Sequence, residues 1–143
     1  MRSPSIDLLR VLTASGPQPL AALAVACDLR TADLERRLAR LAANGFVSVS
    51  DRQVHLTGPF DFLDAARIAA GLGGRGSGVA VEVVDACPST SSLLMNDKRS
   101  RGTRLLLTED QVSGRGRHGR RWLSCVGAGL ALSMRRSFSR GPR

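Results

Sequence analysis

Residues 31–56, TADLERRLARLAANGFVSVSDRQVHL, change their hydrophobic period halfway along. Leu34, Leu38 and Leu41 recur at i, i+4 and i+7, the spacing of one buried helical face. Thr31 is the expected N-cap, and the pattern stops at Asn44-Gly45, where glycine accepts the left-handed conformation that ends a helix. From Phe46 onward apolar and polar residues alternate on both sides of Asp51-Arg52, which predicts a small hairpin. Upstream, SIDLLRVLTASG (5–16) carries Ile6, Leu9 and Leu12 at helical spacing with Leu8 beside them, ending at Gly16-Pro17. PLAALAVAC (19–27) predicts a second short helix with Pro19 in its first turn. Three helices followed by a hairpin predict a winged helix-turn-helix over residues 1–58.

The third helix would be the one that reads DNA. Outside its leucine face it offers Arg30, Arg36, Arg37 and Arg40, diluted by Asp33 and Glu35, with Asp33 placed to pair with Arg37 at i+4. Two readings stand: a solvated face with internal ion pairs, or DNA contact by the helix tip with Arg52 of the wing on a phosphate. His55, alternating within a strand, reads as structural.

The remainder follows a different plan. FLDAARIAAGL (62–72) predicts a linking helix and GGRGSG (73–78) a flexible joint, so that 59–78 connect two domains. The string GLGGRG (71–76) has the spacing of a dinucleotide fingerprint but leaves a helix and opens a strand, the reverse of what that motif requires. VAVEVV (79–84), RLLLTED (104–110) and GLALSM (129–134) predict three strands. Asp85 to Pro88 turn the chain, STSSLLMNDK (89–98) opens a helix, and the arginine-glycine stretch is a long loop.

Four Phe, one Trp and no Tyr leave the core to Leu, Val and Ala. Cys27, Cys87 and Cys125 are odd in number and far apart, with only His55 and His118 to help them, so buried reduced thiols are expected rather than a zinc site or a disulfide framework. The longest uncharged apolar run, LAALAVAC, is too short to cross a bilayer and no signal-like segment opens the chain, so a cytoplasmic protein with no membrane partner is expected. The net charge of +9 sits at one end: residues 98–143 hold twelve basic residues against two acidic, whereas 1–97 hold nine against ten.

SGRGRHGRRW (113–122) concentrates that charge, with four arginines and three glycines before the single tryptophan. Glycines let the backbone fold closely around a phosphate while guanidinium groups neutralise it. Such a loop is expected to be mobile when empty and ordered by an anionic ligand. Ser89 and Thr90, at a helix N-terminus, offer hydroxyls and backbone N–H groups to an oxygen-rich polar group, and Gln111 adds an amide that both donates and accepts. Trp122 reads either as a cover over a flat apolar base or as a core anchor.

The succession of a winged helix-turn-helix, PSTSSLL, EDQVSGRGRHGRRW and GAGLALSM resembles the N-terminal part of bifunctional biotin protein ligases of the biotin operon repressor type, over essentially the whole chain. The resemblance implies an α+β protein, the helix-turn-helix being followed by the beginning of a mixed-sheet α/β ligase domain over 79–143. It implies the substrates biotin and ATP with Mg2+, and as partner the biotin carboxyl carrier protein of acetyl-CoA carboxylase. It also implies operator DNA bound through residues 1–58, and leaves a homodimer of the complete protein open. Carried over singly, Ser89, Thr90, Ser91, Gln111, Arg115, Gly116 and Arg117 would line the biotin site. Arg117, Arg120, Arg121 and Trp122 would meet the adenylate, with Arg115 and Arg117 neutralising charge in the reaction. Ser91 stands where the family commonly has Asn. The family's catalytic lysine, in a downstream K-W-P-N-D-like segment, has no counterpart, so a truncated and catalytically incomplete ligase is expected. Two rivals remain: a DNA-binding regulator working only through residues 1–58, and an arginine-glycine binder of nucleic acid working through 98–143.

Overall fold

A computed structural model describes residues 1–97, 102–116, 118, 120–122 and 125–138. The protein is of the α+β class and divides into two compact units. One comprises residues 2–61 together with 125–128. The other comprises Met1 and the described residues of 62–124 and 129–138. Among the described residues no helix is long and apolar enough to cross a membrane.

The first unit is built from α1 (Pro4–Ser15), β1 (Gln18–Pro19), α2 (Leu20–Ala26), α3 (Thr31–Ala43), β2 (Val47–Ser50) and β3 (Gln53–Leu56). Ser3 is buried and caps α1, its hydroxyl accepting from the Ile6 N–H at 3.3 Å, with Pro4 in the first turn. Ile6, Leu8, Leu9 and Leu12 of α1 meet Leu23 of α2 and Leu34, Leu38 and Leu41 of α3 in one core. Each such side chain contributes roughly 1.5–3 kcal/mol through burial.

Both α2 and α3 end in the same way. Gly45 (φ +74°) donates to Ala42 and Phe46 to Leu41 after α3, and Asp28 (φ +52°) donates to Val25 and Leu29 to Ala24 after α2, each a pair of bonds across a left-handed residue. The cap of α3 differs from expectation: Arg30 occupies it without a side-chain bond, and Thr31 is the first helical residue. Asp33 lies below Arg30 and takes its Nε–H at 2.9 Å, so the side chain at the cap points along the helix instead of closing it.

The hairpin pairs Val47 with Leu56 and Ser50 with Gln53. It turns through Asp51 (φ +50°) and Arg52 (φ +61°), the two positive values of a tight turn whose twist matches the strands. Pro19, expected in the first turn of the second helix, instead joins Gln18 in a third strand against β3. Proline has no N–H to donate and is tolerated at such an edge.

The second unit holds a three-stranded sheet in the order β10–β6–β4, formed by Ala131–Arg136, Thr103–Thr108 and Val79–Val83. β4 runs parallel to β6 and β10 antiparallel to it. The linking helix is α4 (Ala65–Leu72), capped by the Asp64 carboxylate, which accepts from the Arg67 N–H at 2.9 Å; α4 packs against β4 within this unit. Its glycine joint is one tight turn of 3-10 helix, Gly73–Gly76. The chain therefore leaves a helix and opens a strand around these glycines. Α short helix α5 (Thr90–Asn96) packs on β10 and β6. Arg135 donates to the carbonyls of Leu94, at 2.8 Å, and Asp97, securing the end of that helix to β10.

Two expectations about loops are corrected. Residues 85–88 are more than a turn, because Ala86–Cys87 (β5) pair in parallel with Asp110–Gln111 (β7). The arginine-glycine stretch is not a long open loop: Gly114–Arg115 (β8) pair antiparallel with Arg121–Trp122 (β9), and the Gly116 N–H donates to the Arg120 carbonyl at 2.7 Å. Glycines in that run permit close strand approach as well as freedom.

Candidate functional site

Two short pairings bring the candidate residues together. Beyond β5 and β7 the chains stay in step, with the Val112 N–H donating to the Cys87 carbonyl at 2.9 Å and the Ser113 N–H to that of Pro88 at 3.0 Å. The Thr108 hydroxyl locks the start of this ladder, donating to the Asp85 carbonyl at 3.1 Å and accepting from the Asp110 N–H at 3.2 Å. Ser89 therefore opens α5 beside Gln111, and the β8–β9 hairpin begins three residues after it. These elements and the start of β10 enclose an open cleft of about 290 Å³ lined by Ser89, Thr90, Ser91, Gln111, Arg115, Trp122 and Leu130–Ser133. That volume lies at the lower edge of the ~300–1,000 Å³ usual for small-molecule sites, the scale of one compact ring system.

A hydrogen-bonded relay forms the polar part. The Thr90 N–H donates to Gln111 Oε1 at 3.0 Å, and since a backbone N–H only donates, the carbonyl side of the Gln111 amide faces Thr90. The Thr90 hydroxyl lies 3.3 Å from the same oxygen and 2.8 Å from Ser133 Oγ. With its proton directed to Gln111, Thr90 accepts from Ser133. The Gln111 Nε2 group is turned toward Gly114, where a Cβ would stand only 2.5 Å from it and 3.1 Å from Trp122 Cβ. Gly114 is thus required for Gln111 and Trp122 to come together, a reason distinct from flexibility. Thr90 is buried, whereas Trp122 is 59% exposed, which excludes its reading as a core anchor. Leu130 and Leu132 are also half open to solvent. A cleft with uncovered apolar walls, a hydrogen-bonded polar floor and Arg115 as the one charged residue among the described lining residues suits a small, largely apolar ligand carrying an amide-like group and a negative end.

Of the residues singled out in the sequence, Ser89, Thr90, Ser91, Gln111, Arg115 and Trp122 line the cleft. Gly116, Arg120 and Arg121 do not line it; the two arginines are exposed on the hairpin, and the Gly116 N–H is engaged within it. Arg117 lies outside the described residues. The backbone N–H groups expected to be open at the start of α5 are partly taken, that of Thr90 by Gln111 and that of Ser92 by the Ser89 hydroxyl at 3.4 Å. Sequence reasoning missed Ser133. Its signal was the alternation in ALSM, which puts Ala131 and Ser133 on one face of β10, the face that α5 covers.

On α3 the acidic partner differs from expectation. Asp33 pairs with Arg30 (2.9 Å) and Arg36, rather than with Arg37 four residues on. These two cations, Arg36 foremost, hold the Asp33 carboxyl below the usual carboxylate range. Arg37 and Arg40 share with Asp33 and Arg36 a shallow depression of about 190 Å³, and Arg37 Nε is buried without a hydrogen-bond partner among the described residues. Arg52 is exposed at the tip of the β2–β3 hairpin. Burial pushes the thiols of Cys27 and Cys87 above their ordinary range, which keeps both protonated and unreactive at neutral pH. The sequence matches no protein-family model and no curated protein.

Proposed function

We propose that the second unit carries the biotin-binding part of a biotin protein ligase, the enzyme that activates biotin with ATP and passes it to a lysine of the biotin carboxyl carrier protein. The observation that carries this reading is the single cleft in which Ser89, Thr90, Gln111, Arg115 and Trp122 meet. Biotin has a compact fused ring system with a cyclic urea and a carboxylate tail. Ser133, Thr90 and Gln111 supply a polar floor for the urea, the leucine walls and Trp122 cover the ring edges, and Arg115 attracts the carboxylate.

In the first half-reaction a carboxylate oxygen of biotin attacks the α-phosphorus of ATP, forming biotinyl-AMP and expelling pyrophosphate. Two anions must approach, and Arg115 reduces their repulsion. In the second, the carrier lysine amine attacks the acyl carbon and AMP departs. Arg117, Arg120 and Arg121 are proposed to meet the phosphate, with Trp122 against the adenine. The described residues lining the cleft do not fit a resident Mg2+, which prefers oxygen ligands and one or two carboxylates, because none among them carries a carboxylate.

The first unit is read as a winged helix-turn-helix that binds operator DNA, the reading favoured by the exposed arginine face of α3 and by Arg52 at the hairpin tip. A cytoplasmic location fits both readings. Calorimetric titration with biotin and with biotinyl-AMP tests the ligase reading. Saturable binding of both is expected, with Arg115→Ala weakening the adenylate about ten- to a hundredfold through loss of a charge-assisted bond. Failure of wild-type protein to bind either ligand would sink it.

A further inference from the structure

The hydrogen bonds at the floor of the cleft have a direction. Gln111 Oε1 is a carbonyl oxygen and only accepts, and it already takes the Thr90 N–H at 3.0 Å. The Thr90 hydroxyl lies 3.3 Å from the same oxygen, so lone pairs would face lone pairs unless the hydroxyl proton points to Gln111. Thr90 is 3% exposed, which leaves water little access to relieve such a clash. A threonine has one hydroxyl proton. Toward Ser133 Oγ, 2.8 Å away, Thr90 therefore accepts, and Ser133 gives up its own proton to it. Elsewhere around Ser133 the described residues offer its hydroxyl no other partner. Leu106 stands opposite it on β6, and Arg135, the next residue on that face of β10, donates to the carbonyls of Leu94 and Asp97. Ser133 lines the cleft, and what its hydroxyl has left to offer there is lone pairs.

We propose that Ser133 selects a ligand N–H, and that Thr90 and Gln111 hold it in that role by fixing the order of the protons. The ligand class is a ring with an N–H on its edge, a cyclic urea or a lactam. A ring oxygen at the same place would set lone pairs against lone pairs. A site built to hydrogen-bond a ligand group rejects the isostere without it more strongly than an apolar pocket rejects a change of size. The inference deepens the ligase reading and rests on it only in taking the ring to be the urea of biotin.

Two rings of one shape test the selection on the full chain. Imidazolidin-2-one is the cyclic urea alone, and ethylene carbonate carries a ring oxygen in place of each N–H. Each is titrated while the amide NMR shifts of residues 131–133 are followed. The wild-type protein should bind the urea about tenfold more tightly than the carbonate. Ser133→Ala removes the acceptor, and Thr90→Val frees the Ser133 proton to turn toward a ring oxygen. Each should lower the preference by about threefold or more. No preference in the wild type, or one unchanged in Ser133→Ala, would overturn the selector. A preference lowered in Ser133→Ala but unchanged in Thr90→Val would overturn the proton order. Calorimetry with biotin decides the ligase reading separately: urea selection without biotin binding sinks that reading and supports the selector, and biotin binding without urea selection does the reverse.

Discussion

Substituting Gly114 with alanine separates two roles that the arginine-glycine run superimposes. The added Cβ would lie 2.5 Å from Gln111 Nε2, 3.1 Å from Trp122 Cβ and 3.2 Å from Trp122 Cδ1, too close for both neighbours to stay in place. Crowding of this kind costs about 1–3 kcal/mol. The Trp122 Cβ is tied to the β9 backbone, so Gln111 yields first. Its displacement strains the two bonds that Thr90 makes to Oε1, each contributing about 1 kcal/mol. A loss of about 1.4–3 kcal/mol in the site corresponds to roughly ten- to over a hundredfold weaker biotin binding. Gly116→Ala is the matched control, since its Cβ meets the Arg120 carbonyl oxygen at an ordinary 3.5 Å and leaves the Gln111 amide alone. Calorimetry on the wild type and both variants reads the difference, with circular dichroism to confirm the fold. Equal affinities for the two variants, or wild-type affinity for Gly114→Ala, would refute the argument that this glycine serves close packing.

Further outcomes follow from the same geometry. Ser133→Ala should weaken biotin about tenfold or less, through loss of one neutral hydrogen bond of about 0.5–1.5 kcal/mol, and Ser133→Thr should restore part of it by keeping the hydroxyl; titration of the pair checks this. Asp33→Asn should release Arg30 and Arg36 and steepen the salt dependence of operator binding by about one to two in log–log slope, measured by fluorescence anisotropy. The Asp33 carboxyl lies below its unfolded value, so its ion pairs persist above the ordinary carboxylate range and disappear as pH falls through the lowered value. Wild-type and Asp33→Asn proteins should therefore converge in α3 stability at strongly acid pH and differ at neutral pH. Leu9→Ala, at a site with no exposure, should destabilise the helical unit by about 2–5 kcal/mol in urea unfolding.

The sequence disclosed most where period and punctuation agree. Leu34, Leu38 and Leu41 with Gly45 define α3, and Phe46 to Leu56 with a two-residue turn define the hairpin, because burial of a single face and a left-handed residue leave plain traces. Pairings two residues long leave almost none. Gln18–Pro19 against β3, Ala86–Cys87 against Asp110–Gln111, and Gly114–Arg115 against Arg121–Trp122 depend on partners distant in the chain, and a dipeptide has no period to read. The hydroxyl pair, Gln111, Arg115 and Trp122 stood out by residue type, but Ser133 did not, because one serine in an apolar strand gains meaning only when Thr90 lies 2.8 Å away. The choice of Arg36 over Arg37 as partner of Asp33 was equally hidden, since both spacings put opposite charges on neighbouring turns. Residues 125–128 carry no periodic signal at all. Their place with the helical unit follows from ring contacts at Gly127.

Trp122 is the single tryptophan of the chain and lines the cleft while 59% exposed, so its fluorescence reports on that cleft alone. Titrating the protein with biotin while recording tryptophan emission is the most direct measurement of the central claim. The account predicts a saturable shift of the emission to shorter wavelength as the ring loses water, reduced at the same biotin concentrations in Thr90→Val. An emission spectrum unmoved by biotin up to millimolar concentration, or a shift that is identical in Thr90→Val, would contradict it.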